Sequence, residues 1–134
     1  MYRVLVPVDD AVDRATRQAT YLTEVPWDAD DIQVFLGHTL DKSDREAPES
    51  MQRADRVETV RKARGILEAA DIETEAIDLD SPPRDGILHA VDDHDVDEIV
   101  MSGRRRSPAE KAILGSVTQS VILNADVPVT VVND

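Results

Sequence analysis

Cysteine is absent from all 134 residues, which excludes disulfide scaffolds, thiol nucleophiles and Cys-ligated zinc or iron–sulfur sites in one step. A reducing interior fits that absence. Aromatic residues make up only 3% of the chain against 41% hydrophobic residues in all, so whatever core forms must be aliphatic. Lysine is scarce, 3 residues beside 12 arginines. The five glycines compose no Walker loop, no GxGxxG and no Gly-x-Ser-x-Gly elbow. No long apolar stretch exists either, and the opening MYRVLVPVDDAVDR carries charge from Arg3 onward. Neither a signal peptide nor a membrane span is therefore expected, and a cytoplasmic protein is the default.

Acid is what the chain has in excess. Asp and Glu total 28 against 15 Lys and Arg, a net charge of −13, which would repel a nucleic-acid duplex and argues against a nucleic-acid partner. The acids are 19 Asp and 9 Glu, and short carboxylates with scarce Lys resemble the composition of proteins from a high-salt cytoplasm. Such a surface concerns solvent and solubility more than substrate. The length supports one domain spanning 1–134 and is too short for two independent catalytic domains.

Apolar runs alternate with helical patterns along the chain. Tyr2 to Val8 is short and β-branched and stops at Asp9 and Asp10, which suit a strand end followed by a helix N-cap. Val12, Ala15, Ala19 and Leu22 then recur at spacings of three and four, one buried helix face, ended by Pro26. Ile32 to Leu36 reads as a second strand, and Asp41 to Ser50 as a polar loop. Ser50 to Ala70 reads as the longest helix, with Val57, Val60, Ala63 and Leu67 inward. Ile72 to Leu79 alternates apolar and polar residues, as expected of a strand at a sheet edge. Ser81 and Pro82 open a helix with Ile87, Ala90 and Val91 inward. Val96 to Met101 and Val127 to Val132 are the last strands, separated by a helix with Ile113, Leu114, Val117 and Val121 on its buried side. Strands joined by helices run parallel with right-handed crossovers, so the fold class is α/β, a doubly wound five-stranded parallel sheet flanked by helices. In such sheets ligands sit beyond the carboxyl ends of the strands at the switch in strand order, which selects Val8 to Asp10, His38 to Leu40, Leu79 to Pro83 and Ser102 to Lys111.

Catalytic chemistry finds little support. His38 lies at a strand end, and His89 and His94 are five apart, too few for a triad or a metal set. Asp92, Asp93, Asp95 and Asp97 lack the glycine and distal glutamate of a calcium loop and read as a solvated turn. No enzymatic activity is expected.

The stretch from Ile99, IVMSGRRRSPAEKAILGSVTQSVILNADVPVTVV, joins a buried strand to a loop with three arginines, then to Gly115-Ser116 at a helix start, then to the final strand. Together with the opening VLVPVDD and with FLGHTL at the second strand, it resembles the universal stress protein family over nearly the whole chain. Nucleotide-binding members of that family carry Gly-x2-Gly-x9-Gly-Ser/Thr after the fourth strand. Counting back from Gly115 puts Arg105 and Ser102 in the first two glycine slots, with Gly103 one residue off. Only the Gly115-Ser116 end is intact. Glycines there let backbone N–H groups approach phosphates unobstructed, and Arg104, Arg105 and Arg106 could hold phosphate by charge instead.

The resemblance implies a stress-response protein that binds ATP or a related adenine nucleotide at a degenerate motif. It implies that Pro7, Val8 and Asp9 border adenosine, that Thr39 and Met101 lie at the adenine edge, and that Gly103, Arg104, Arg106, Gly115, Ser116 and Val117 form the phosphate end. Asp9 is equally readable as a helix N-cap, the arginine run as a solvated patch and Gly115 as a plain turn residue. The alternative function is a non-nucleotide-binding dimeric interaction module with an unidentified protein partner. An adenylating or electron-transfer enzyme lacks its motif here. A homodimer through Val127 to Val132 is expected on two grounds: the strand is apolar on both faces yet ends the chain, and the family pairs it across a two-fold axis.

The charge pattern makes one prediction directly. Repulsion among carboxylates weakens as the Debye length falls from about 10 Å at 0.1 M salt to about 3 Å at 1 M. The melting temperature should rise across that range, and a flat or falling curve in a calorimetric salt series would refute the high-salt reading.

Overall fold

The computed structural model describes residues 1–39, 57–103 and 114–133. Its first strand, β1 (Tyr2–Pro7), leads into helix α1 (Val12–Glu24), a 3-10 turn (Ala29–Asp31) and strand β2 (Ile32–Thr39). Then come α2 (Glu58–Ala69), β3 (Glu73–Leu79), α3 (Pro83–Asp93), β4 (Glu98–Ser102), α4 (Ser116–Asn124) and β5 (Val129–Val132). The five strands form one sheet in the order β3-β2-β1-β4-β5, and every neighbouring pair is parallel. This is the expected doubly wound α/β fold, with β3 at the edge where its alternating pattern placed it.

Because successive strand residues point to opposite faces, the sheet builds two aliphatic cores. Val4, Val6, Val8, Val34, Leu36 and Val100 meet Ala15, Ala19 and Leu22 of α1 and Val60, Ala63 and Leu67 of α2. On the other face, Leu5, Phe35, Ile99 and Met101 meet Ile87 and Ala90 of α3 and Val121 of α4. The central strands are buried on both faces, as continuous apolar runs require.

Element ends differ from expectation in informative ways. Strand β2 continues past Leu36 to Thr39, since Gly37, His38 and Thr39 keep their pairing with Ile77, Asp78 and Leu79. Helix α1 begins at Val12, and its N-cap is Ala11 without a side-chain cap, so Asp9 and Asp10 are not the cap. Pro82 rather than Ser81 occupies the N-cap of α3, because the proline ring already fixes a compatible φ. Helix α2 begins at Glu58 after an extended Val57, and the remainder of the expected Ser50–Ala70 helix lies outside the described residues. In α4 the buried side carries Thr118 and Val121, with Val117 half-buried; Leu114 precedes the helix, and Ile113 is outside the described residues.

Two turns share one design. After α2, the N–H of Ile72 donates to Leu67 C=O at 3.0 Å and that of Asp71 to Glu68 C=O at 2.9 Å, the paired bonds that close a helix through a left-handed residue. Asp71 has φ 60 and Asp95, after α3, has φ 52, while the Val96 N–H donates to Val91 C=O at 3.0 Å. The acids around Asp95 thus form an exposed turn, as read from sequence. Asp97 does more: its Oδ2 accepts the Arg3 N–H at 2.9 Å.

At the amino ends of the strands, Tyr2 stacks on Trp27 with ring centroids 4.5 Å apart. The Tyr2 hydroxyl donates to Glu98 Oε1 at 2.7 Å, and Thr130 Oγ1 donates to Glu98 Oε2 at 2.9 Å. One carboxylate therefore ties β1, β4 and β5 together. Burial, and then the Glu98 carboxylate, push the Tyr2 hydroxyl up to about 12.

Two glycines in helices make opposite predictions for the same substitution. A Cβ on Gly86 would collide with the backbone carbonyl of Asp80, where the chain leaving β3 crosses the first turn of α3. A Cβ on Gly65, exposed in the interior of α2, meets nothing within 4 Å. Gly86→Ala should cost about 1 to 3 kcal/mol, and Gly65→Ala should add about 0.5 to 1 kcal/mol. Denaturant unfolding of both variants at one salt concentration checks the signs.

Candidate functional site

The chain leaves β1 in one direction to build β2 and β3, then returns to the far side of β1 to build β4 and β5. Loops depart to opposite sides at that reversal, and a crevice opens beyond the carboxyl ends of β1 and β4. A cavity of about 330 Å³ lies there. Its wall is assembled from every part of the sheet except β5: Pro7 through Asp10 after β1, His38 and Thr39 at the end of β2, Leu79 at the end of β3, and Met101 and Ser102 at the end of β4. Pro83 and Ile87 of α3 close one side, and Gly115 through Thr118 at the start of α4 another.

Val8, Leu79, Ile87 and Met101 make part of this wall apolar, and each is itself a core residue. They suit a flat, weakly polar group such as a heterocyclic base. The polar remainder is built from helix starts. Helices α1, α3 and α4 all begin at this pole, and none has a side-chain bond at its N-cap. In α4 the first backbone bond runs from the Gln119 N–H to Gly115 C=O at 3.0 Å, leaving the N–H groups of Ser116, Val117 and Thr118 without an acceptor in the helix. Their partial positive charge favours an anion. A protein of net charge −13 thus places the starts of α3 and α4 against one cavity.

Asp9 is held in place before any ligand arrives. Its Oδ1 accepts the Ala11 N–H at 2.9 Å and its Oδ2 the Arg14 Nε–H at 2.8 Å, so it closes a turn and has its charge balanced by Arg14. Each oxygen keeps a second lone pair for a hydroxyl or amino group. His38, also in the wall and 2% exposed, brings Nε2 within 3.3 Å of Asp10 Oδ1.

Gly115 has φ −68 and ψ 164, ordinary extended backbone that any residue adopts. Among the described residues a Cβ there meets only open space. Among the described residues, then, neither backbone conformation nor packing requires a glycine at this position. Gly103 is different. Its Cα faces the Asn133 side chain, which a Cβ would strike, and its N–H donates to Val132 C=O at 2.9 Å. It does not border the cavity, since the glycine makes room for Asn133.

Of the residues expected from sequence, Pro7, Val8, Asp9, Thr39, Met101, Gly115, Ser116 and Val117 are brought together around the cavity. Arg104, Arg105 and Arg106 lie outside the described residues. Asp10, His38, Leu79, Pro83 and Ser102, which the carboxyl-end rule selects without giving them a ligand role, also line it, and so do Ile87 and Thr118, which that rule does not select. Position at the carboxyl end of a strand was the available signal for Asp10, His38, Leu79, Pro83 and Ser102, whereas Ile87 and Thr118 sit within helices and gave none. His89 is exposed and His94 packs against Phe35 with centroids 4.7 Å apart, both away from the cavity. Among the described residues no group of His, Asp or Glu could hold a metal, and no helix is long and apolar enough to cross a membrane.

Known proteins of the same shape are numerous. A universal stress protein from Archaeoglobus fulgidus is 31% identical, with each chain covered to 98% and a TM-score of 0.77. The universal stress protein from Archaeoglobus fulgidus in complex with dAMP is 29% identical over 98% of both chains, with a TM-score of 0.73. A universal stress protein family protein from Arabidopsis thaliana with AMP bound shares the fold at 17% identity, covering 99% of this chain and 91% of that one, with a TM-score of 0.65. No match was found among curated protein sequences. The sequence model of the universal stress protein family matches residues 1–133, and the chain belongs to that family.

Proposed function

We propose that this universal stress protein binds ATP or a related adenine nucleotide in the cavity beyond β1 and β4, as a binding protein and not as an enzyme. The observation that carries the reading is the cavity's two-part wall: aliphatic side chains at one end, and the open, uncapped start of α4 behind Gly115 at the other. The base would lie against Val8 and Met101, Asp9 would take a ribose hydroxyl or the adenine amino group, and the phosphates would face Ser116 and Val117. Support also comes from the relative described in complex with dAMP. A cytoplasm rich in salt suits the acidic, cysteine-free composition.

Calorimetric titration of ATP and AMP at high salt tests this. The wild type should bind, and Gly115→Val should weaken binding about tenfold or more, a loss of about 1.4 kcal/mol, because a branched side chain would stand between the phosphates and the helix start. No heat at millimolar ATP would remove the nucleotide reading. A dimeric interaction module would then take its place, a reading that Ser102 and Arg105 in the glycine slots favour. Equal binding by both proteins would mean that the phosphates lie elsewhere.

The same fold supports a homodimer formed through β5. The sheet's two edges are unlike: β3 exposes Glu73, Glu75 and Asp78, whereas β5, Val129 to Val132, has no charge and is half-buried throughout. Charges on an edge strand oppose pairing, and their lack invites it. Leu123, 83% exposed near the end of α4, adds apolar surface just before that strand. Light scattering in high salt should give twice 14.8 kDa; monomer mass alone would sink the proposal.

A further inference from the structure

Strands β1 and β4 share only two register pairs, Val4 with Glu98 and Leu5 with Ile99. On its other side β1 stays paired with β2 as far as Pro7 and Gly37, and the Val8 N–H donates to Gly37 C=O at 2.8 Å. Past Leu5, then, the register with β4 lapses while that with β2 continues. Pro7 has no N–H to offer the Val100 carbonyl, so the ladder has a gap there, with the Pro7 and Val100 carbonyls beside it.

Gln18 fills that gap. It sits on the buried stripe of α1 between Ala15 and Leu22 and is 1% exposed. Its Nε2 donates to Pro7 C=O at 2.9 Å and to Val100 C=O at 3.0 Å, so both amide protons are used, one on each strand. Pro7 itself lines the cavity, and Val100 is followed directly by Met101 and Ser102, which also line it. Gln18 does not. A planar amide of fixed width thus joins the two walls from behind.

We infer that Gln18 is a positioning residue for ligand binding: its amide sets the separation of the β1 and β4 ends, and through Pro7 and Met101 the width of the slot for the base. The inference rests on the nucleotide reading above and adds to it which end of the ligand the clamp serves. An apolar side chain of equal length would leave two carbonyls unsatisfied and the slot without a set width. The start of α4, which the clamp does not touch, would keep its geometry.

The test compares adenosine with AMP, because the ratio of their dissociation constants isolates what the phosphate contributes. In Gln18→Met, both ligands should bind about tenfold more weakly, a loss of about 1.4 kcal/mol, with the ratio unchanged. In Gly115→Val the ratio should shrink while adenosine binding holds. A residue that merely stabilised the fold would, when lost, loosen both ends and move the ratio. A folded Gln18→Met that binds adenosine within twofold of wild type, or one whose ratio falls as in Gly115→Val, overturns the positioning role and leaves the nucleotide reading standing. Wild type that binds neither ligand overturns the nucleotide reading and this inference with it. Should Gln18→Met fail to fold in high salt, the wild-type NMR signals of the Gln18 side-chain amide decide: they should shift at saturating adenosine, and their indifference to it overturns the role.

Discussion

The seam between β1 and β4 is the constraint on which this molecule depends. A doubly wound sheet must reverse its winding somewhere, and here the two strands at the reversal share a ladder of two register pairs, which cannot continue through Pro7 because proline has no N–H. Side chains complete what the backbone leaves short. At the amino end Asp97 reaches the Arg3 N–H, while its own N–H donates to Arg3 C=O at 2.7 Å, and Glu98 takes bonds from Tyr2 and Thr130. At the carboxyl end the Gln18 amide does the same for Pro7 and Val100. The seam must be closed at one pole, where two cores meet, and open at the other, where the cavity lies.

The helix dipoles are arranged with the same polarity. Parallel strands linked by helices put all the helix starts on the cavity side, so the backbone itself supplies partial positive charge there. Among the described residues, Asp92, Asp93, Asp95 and Asp97 gather in the turn before β4 and Asp71 lies before β3, whereas Asp78 and Asp80 stand at the end of β3 and Asp13 and Asp85 in the first turns of α1 and α3. Where a carboxylate does border the cavity, Arg14 balances Asp9 and His38 lies against Asp10. A strongly acidic protein can therefore keep a site suited to anions, because the field within a few ångströms is set by local dipoles and the net charge acts through screened solvent.

Much of this was legible in the sequence because burial leaves periodic traces. Runs such as YRVLV and the three-and-four spacing of Ala15, Ala19 and Leu22 mark buried faces directly, and parallel pairing follows from strands joined by helices. The carboxyl-end rule then located most of the cavity. Gln18 escaped because its stripe position is one a hydrophobic residue normally fills, and a polar residue there looks like a gap in the pattern; only the two carbonyls it meets reveal its purpose. Strand β2 was read short for a related reason: Gly37, His38 and Thr39 carry no aliphatic signal, yet pair fully. Gly103 misled in the other direction, since a glycine near a familiar motif looks like room for a ligand when it is room for Asn133.

The stacking of Trp27 on Tyr2 has a practical consequence. Trp27 is the only tryptophan in the chain, and its partner begins the strand whose far end borders the cavity, roughly 17 to 20 Å away at about 3.3 Å per residue. The intrinsic fluorescence of this protein therefore originates at the pole opposite the cavity. It records whether the aromatic pair at the bottom of the sheet is intact, and so follows unfolding without contact from a ligand in the cavity. Occupancy of the cavity and integrity of the fold become two separately readable signals in a single sample.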